Sequence, residues 1–343
     1  MLSKYFRHCA QQTLNNYLHN ACPYVAAAAH PTRHQSHQLR QSSFQKGATA
    51  PSHSTYEPKH STDVKINIKD QVKIASLGQG IINVVLSRPK KLNSLNISMF
   101  ESIAEAASIL RNDRQLNKDV RVVIISGEGR AFCSGLDAKD VALSGPKSSL
   151  NALLKRPSGY GGEEGIGNLA QDVSYLWRKL PVPVIAVLHG YCYGGGLQIA
   201  LGADFRFATP ECKLSIMESK WGLIPDMSAS ILLRELVRID VAKELTMTGR
   251  IISGTEAEKL GLITRCVDDP FEEALKVSKE ISARSPDSVA ASKELFQSTW
   301  MESDDATCLE TETELQLKLI GSWNQVAAAG RQLGVNLPYW NKK

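Results

Sequence analysis

The chain has 343 residues, with 40 Lys and Arg against 35 Asp and Glu, a formal net charge of +5. That excess sits at the start: residues 1–60 carry Lys4, Arg7, Arg33, Arg40, Lys46 and Lys59 against Glu57 alone, leaving 34 cations and 34 acids in the body. A nucleic-acid-binding body would carry its cations on the folded part to displace phosphate counterions, and no apolar run approaches the roughly 20 residues of a spanning helix; neither nucleic acid nor a membrane span is expected.

The leader is rich in Ser, Gln, Asn and His, has alanines at 26–29 and lacks an acid before Glu57. This is the composition of a mitochondrial transit peptide, so residues 1–60 are expected to be a leader addressing the matrix, with 2–18 able to form an amphipathic helix. A disordered tail with no address is the alternative. A secretory signal is disfavoured for want of a continuous apolar core, and the final Asn341-Lys342-Lys343 is not a peroxisomal tripeptide.

The seven cysteines, at 9, 22, 133, 192, 212, 266 and 308, form no Cys-x-x-Cys pair, and reduced thiols are expected rather than a zinc site. Seven of eight histidines lie at or before His60. His189 is thus the single candidate base for any histidine-dependent triad in the body, and capping a strand end is the plainer role for it.

From Val72 the chain alternates strand and helix signals. Val72 to Leu77, the turn Gly78-Gln79-Gly80 and Ile81 to Leu86 predict a hairpin. Phe100, Ile103, Ala106, Ala107 and Leu110 share one face of a helix over 98–110, and Val120 to Ile125 reads as a buried strand ended by Ser126-Gly127. Residues 143–167, with the run Gly159-Tyr160-Gly161-Gly162, interrupt the pattern as a long loop or lid, or a plain insertion. A helix over Leu169 to Leu180 follows, then a strand over Pro183 to Leu188, and Gly194-Gly195-Gly196 opens a helix. Strands are predicted at Phe205 to Ala208 and Lys213 to Ile216, with Asp204 and Arg206 structural. A capping box at Thr255 and Glu258 should start a helix closed by Gly261, and Ser285-Pro286 should start another. The fold class is α/β, with a core over 61–270 and a helical C-terminal region over 271–343.

Glycine-rich nucleotide motifs fail here. Gly127-Glu128-Gly129 is followed by Phe132 where a third glycine is needed, and no Gly-Lys-Ser/Thr phosphate loop occurs.

Four segments together resemble the crotonase superfamily of enoyl-CoA hydratases and isomerases. They are Leu86 to Leu95 (LSRPKKLNSL), Gly129 to Asp137 (GRAFCSGLD), Pro181 to Gly196, and Ser253 to Leu262 (SGTEAEKLGL); the likeness runs from about Val72 to about Leu295. The resemblance implies a spiral of repeated strand-strand-helix turns, with C-terminal helices packing across subunits in a homotrimer or dimer of trimers. It implies an acyl-CoA thioester substrate of fatty-acid β-oxidation, coenzyme A being part of the substrate, with no separate cofactor and no metal.

The physical requirement is plain: a thioester oxygen gaining enolate charge needs two N–H donors aimed at one point, and loops and helix N-termini supply them. By resemblance the donors are the amides of Leu136 and Gly195, Lys90, Lys91 and Ser94 lie near the coenzyme's adenine and pyrophosphate, and Ser134, Gly135, Asp137, Ala138 and Gln198 contribute to substrate binding. A tight strand-to-helix connection is the ligand-free reading of the glycine triplet, and two solvated lysines that of Lys90 and Lys91.

Hydratases of the family use two glutamates. Here the first position is Gln198, an amide that can orient water but cannot take its proton, whereas the second keeps its carboxylate as Glu218. One carboxylate suffices to shuttle a proton during double-bond migration, and Asp226, eight residues on, resembles the aspartate of the dienoyl-CoA isomerases; those enzymes also carry an aspartate where Gln198 stands. The plain alternatives are a surface role for Glu218 and a helix cap for Asp226 ahead of Met227 to Leu236. Isomerisation of an enoyl-CoA or dienoyl-CoA is therefore expected, with hydration and a catalytically retired CoA-ester-binding scaffold as the alternatives. RNA binding, known in one branch of the family through a lysine-rich helix, is disfavoured because Ser98 to Leu110 contains neither Lys nor Arg.

Overall fold

A computed structural model describes residues 56, 58, 63–112, 119–137, 151–162, 165–301 and 303–340. All belong to one compact unit that begins at His53. Ala138 and the expected leader helix over 2–18 lie outside the described residues.

The larger sheet takes β1 (Val64–Ile68), β2 (Val72–Ser76), β3 (Ile81–Leu86), β4 (Val122–Gly127), β5 (Val184–Leu188), β7 (Phe205–Ala208) and β10 (Arg265–Cys266), in the spatial order β1-β2-β3-β4-β5-β7-β10. The first three strands are antiparallel and the rest join in parallel. β6 (Tyr191–Tyr193), β8 (Lys213–Ser215) and β9 (Ile252–Ser253) form a second sheet. The chain crosses repeatedly from one sheet to the other, β5 to β6, β7 to β8 and β9 to β10, which is the expected spiral.

The near-continuous apolar runs of β3, β4 and β5 arise because both faces of the sheet are covered. Ile82, Val84, Val123, Ile125, Val184 and Ala186 pack under α1 (Ile97–Asn112) and α2 (Leu169–Arg178), against Met99, Ile103, Leu110 and Trp177. The alternating set Ile81, Val122, Ile124, Ile185, Val187 and Phe207 packs under α7 (Pro270–Ser282), against Phe271 and Ala274. Each such apolar side chain withdrawn from water contributes about 1.5–3 kcal/mol.

The remaining helices are α3 (Gly195–Leu201), α4 (Ala229–Arg234), α5 (Ile239–Thr248), α6 (Gly254–Lys259), α8 (Pro286–Thr299), α9 (Asp305–Leu319) and α10 (Trp323–Gln332). Ser285 caps α8 as expected, its hydroxyl accepting from the Ser288 N–H. Two other caps differ from expectation. α6 begins two residues earlier than Thr255 implies, because Ser253 accepts the Glu256 N–H, while Glu258 instead accepts from the Cys266 N–H. α4 begins only at Ala229, behind Ser228 in the left-handed region, so Asp226 caps no helix.

β1 was not anticipated. It is an edge strand whose residues Val64-Lys65-Ile66-Asn67-Ile68 alternate apolar and polar but are mostly exposed. Tyr56, numbered within the expected leader, is held firmly: its hydroxyl donates to Asp269 at 2.9 Å and accepts from the Phe271 N–H at 3.1 Å, and its ring meets His189 edge-on. His189 is fully buried and donates from Nε2 to the Gly129 carbonyl at 2.7 Å, a structural role.

Candidate active site

The site is assembled where β5 gives way to β6 and α3. β6 ends at Tyr193, and Gly194 then adopts φ 52° and ψ −121°, a conformation open only to glycine. Gly195 opens α3, so its N–H has no intrahelical acceptor. The triplet must also be small: a Cβ on Gly196 would lie 2.6 Å from the Cys133 carbonyl, and one on Gly195 2.8 Å from Leu95 Cδ1. Cys133 itself is a packing residue, its thiol pushed up to about 12 by burial.

The loop Ser134-Gly135-Leu136-Asp137 lies against this triplet. A Cβ on Gly135 would meet the Tyr193 carbonyl at 2.8 Å and Gly194 Cα at 3.9 Å. Leu95 pairs with Leu136 in a parallel bridge, donating to the Gly135 carbonyl at 2.8 Å and accepting the Asp137 N–H at 2.9 Å. That pattern uses the groups on either side of Leu136 and turns its own N–H away from Leu95. Among the described residues no acceptor takes the N–H of Leu136 or of Gly195. Leu95 thus joins the two candidate donors, through its main chain on one side and its side chain on the other.

Glu218 reaches the same place from the short 3-10 helix Glu218–Trp221 that follows β8. Its Oε1 lies 3.4 Å from where a Gly194 Cβ would stand. Gln198, fully buried one turn into α3, donates from Nε2 to Glu218 Oε1 at 2.6 Å and accepts the Met227 N–H at 2.8 Å. The backbone donor fixes which way the amide faces, because only its oxygen can receive that N–H. The second Glu218 oxygen is buried without a hydrogen-bond partner among the described residues. Burial raises the Glu218 pKa, its own main-chain N–H and then the Gln198 hydrogen bond oppose the rise, and the Asp226 charge adds to it. Asp226 is exposed at the rim beside Trp221, Leu223 and Ile224, which are also exposed, and partial desolvation raises its pKa.

The expected ligand-lining residues are placed as follows. Lys90 and Lys91 lie exposed on a 3-10 turn. Ser94 and Asp137 are buried, their side chains engaged with Arg88. Sequence reasoning gave no role to Arg88, Leu95 or Met227. Main-chain pairing carries no side-chain signature, so Leu95 and Met227 were beyond its reach; Arg88, a cation directly before Pro89 in a motif segment, was within it.

A family model described as enoyl-CoA hydratase/isomerase matches residues 76–326. The chain belongs to that family. Enoyl-CoA hydratase domain-containing protein 2, mitochondrial, from Homo sapiens is 31% identical over 227 residues, covering 64% of this chain and 72% of the relative. The mitochondrial Delta(3,5)-Delta(2,4)-dienoyl-CoA isomerase of Mus musculus is 29% identical over 234 residues, covering 65% of this chain and 68% of the relative. Among solved structures, the enoyl-CoA hydratase of Bacillus anthracis superposes with a TM-score of 0.69 at 25% identity, covering 79% of this chain and all of that one. Hydratases and isomerases thus both stand among the relatives of this crotonase-superfamily chain, and acyl-CoA hydratase/isomerase chemistry is its activity class.

Proposed function

We propose that this enzyme moves a double bond in an enoyl-CoA or dienoyl-CoA during fatty-acid β-oxidation, with Leu136 and Gly195 N–H groups holding the thioester oxygen and Glu218 carrying the proton. The carrying observation is the state of Gln198: both ends of its amide are committed, to Glu218 and to the Met227 N–H. It therefore offers no second carboxylate that could take a proton from water, which a two-acid hydration needs.

In this reading the ionised Glu218 takes the proton made acidic by the thioester. The electron pair delocalises onto the thioester oxygen, where the two N–H donors meet the developing charge. Glu218 then returns the proton two carbons along, and the double bond settles in its new position with no net gain or loss of atoms. On a dienoyl substrate the more distant proton falls to Asp226.

Wild type, Glu218→Gln and Asp226→Asn are to be assayed on 2-enoyl, 3-enoyl and 3,5-dienoyl thioesters. Isomerisation predicts conjugated thioester absorbance appearing from the 3-enoyl substrate and its loss in Glu218→Gln; Asp226→Asn should impair only the dienoyl reaction. Ordinary-rate loss of 2-enoyl absorbance in wild type would establish hydration instead, and binding without turnover a retired scaffold. Mitochondrial residence and self-association belong to the same proposal, supported by the basic leader and by exposed Phe296, Trp300, Leu309 and Leu317 on or beside α8 and α9.

A further inference from the structure

Behind the loop that carries Leu136 lies a buried ion pair that the proposed reaction does not use. Arg88 Nη1 donates to Asp137 Oδ2 at 2.8 Å, to Ser94 Oγ at 2.9 Å and to the Ser94 carbonyl at 3.0 Å, and Ser94 Oγ donates to the same Asp137 oxygen at 3.2 Å. The two charged side chains are 17% and 8% exposed. The segment holding Arg88 is itself rigid. Its N–H donates to Asn93 Oδ1 at 2.7 Å, and Asn93, fully buried, donates to the carbonyls of Glu128 and Ala131. Leu92 and Asn93 both hold positive φ, which that bonding offsets.

The Leu136 loop is therefore pinned at two points of one block. The main chain is paired at Leu95, and the residue immediately after Leu136 is drawn by charge to Arg88. We propose that Arg88, with Asp137 and Ser94, is a positioning device that sets the direction of the Leu136 N–H. It would act through the loop without touching substrate. This rests on the reading of Leu136 as an oxyanion donor.

The physical warrant is that donors catalyse only when preorganised toward the point where charge develops, and a slight loosening of the supporting shell loses that advantage without abolishing binding. A buried pair also punishes removal of one partner, so variants of matched volume are needed. The test uses the full-length protein and a 3-arylacryloyl-CoA thioester, whose conjugated absorbance shifts to the red when its carbonyl is polarised.

Arg88→Met should bind this thioester with affinity within about threefold of wild type, while its red shift falls to roughly half or less and kcat on the true substrate drops about tenfold with little change in KM. Arg88→Lys should restore part of both. Asp137→Asn should resemble Arg88→Met, and carries the test with Arg88→Lys if Arg88→Met does not fold. Unchanged red shift and kcat in folded variants would overturn the role of Arg88 alone. A rise in KM at constant kcat would overturn it too, by making Arg88 a substrate contact. No red shift even in wild type would overturn the Leu136 reading first, and the proposal with it.

Discussion

Gln198 grips one oxygen of Glu218 at 2.6 Å and leaves the other buried and unpartnered among the described residues. The pair is held from behind by the Met227 N–H, so the amide cannot swing away to solvate anything else. A carboxylate so placed has one oxygen anchored and the other without a hydrogen-bond donor among the described residues.

Glu218→Gln should remove at least about a hundredfold of kcat, as loss of a positioned acid–base group typically does, yet raise the melting temperature at neutral pH. The sign follows from burial. The folded pKa lies above the ordinary value of 4.5, so the fold prefers the protonated form; that stabilisation is full below the unfolded pKa and is lost as pH rises through the folded one. Thermal unfolding of both proteins across the acid-to-neutral range should show the variant's advantage shrinking toward low pH.

Gln198→Met should move the acidic limb of the pH–rate profile upward. The amide hydrogen bond favours the ionised carboxylate, so its loss raises the Glu218 pKa and carries the limb with it. A limb that stays in place while kcat falls would show that Gln198 acts on substrate rather than on Glu218.

Lys293→Met should destabilise the fold by about 3–5 kcal/mol. Lys293, on α8, buries its Nζ, which donates to Asp204 Oδ2 at 2.8 Å and to the carbonyls of Val182 and Trp177 at 2.9 and 3.3 Å. Removing the cation strands Asp204, whose carboxylate also accepts the Val184 N–H at the start of β5. Denaturant unfolding measures the loss, and the double variant Lys293→Met with Asp204→Asn should recover part of it.

Truncation should find the working start of the folded body before Tyr56. A chain lacking residues 1–55 should melt close to the full-length protein. One lacking 1–60 should melt several degrees lower, because Asp269 and the Phe271 N–H lose the Tyr56 hydroxyl and His189 loses its ring contact. Equal melting temperatures would show the Tyr56 contacts to be incidental.

The periodic elements were legible in sequence because local physics dominates them. The near-continuous apolar runs of β3 to β5, the helical face of Phe100, Ile103 and Leu110, and the glycine triplet each announce their conformation within a few residues. Short motifs likewise pointed to Leu136, Gly195 and Glu218. Legibility failed where the partner is distant or is backbone. β1 is a short, mostly exposed strand held by its pairing with β2, and the Asp226 cap was displaced because Gln198 takes the Met227 N–H and Ser228 turns into the left-handed region before α4 can begin.

From composition and pattern alone came the α/β class, the family likeness and the absence of a second glutamate at Gln198. Only the tertiary structure decided what Gln198 does. An amide has a donor end and an acceptor end, and its function rests on which groups the fold brings to each; here a carboxylate and a backbone N–H arrive from segments 20 and 29 residues away, a meeting that no local spacing encodes.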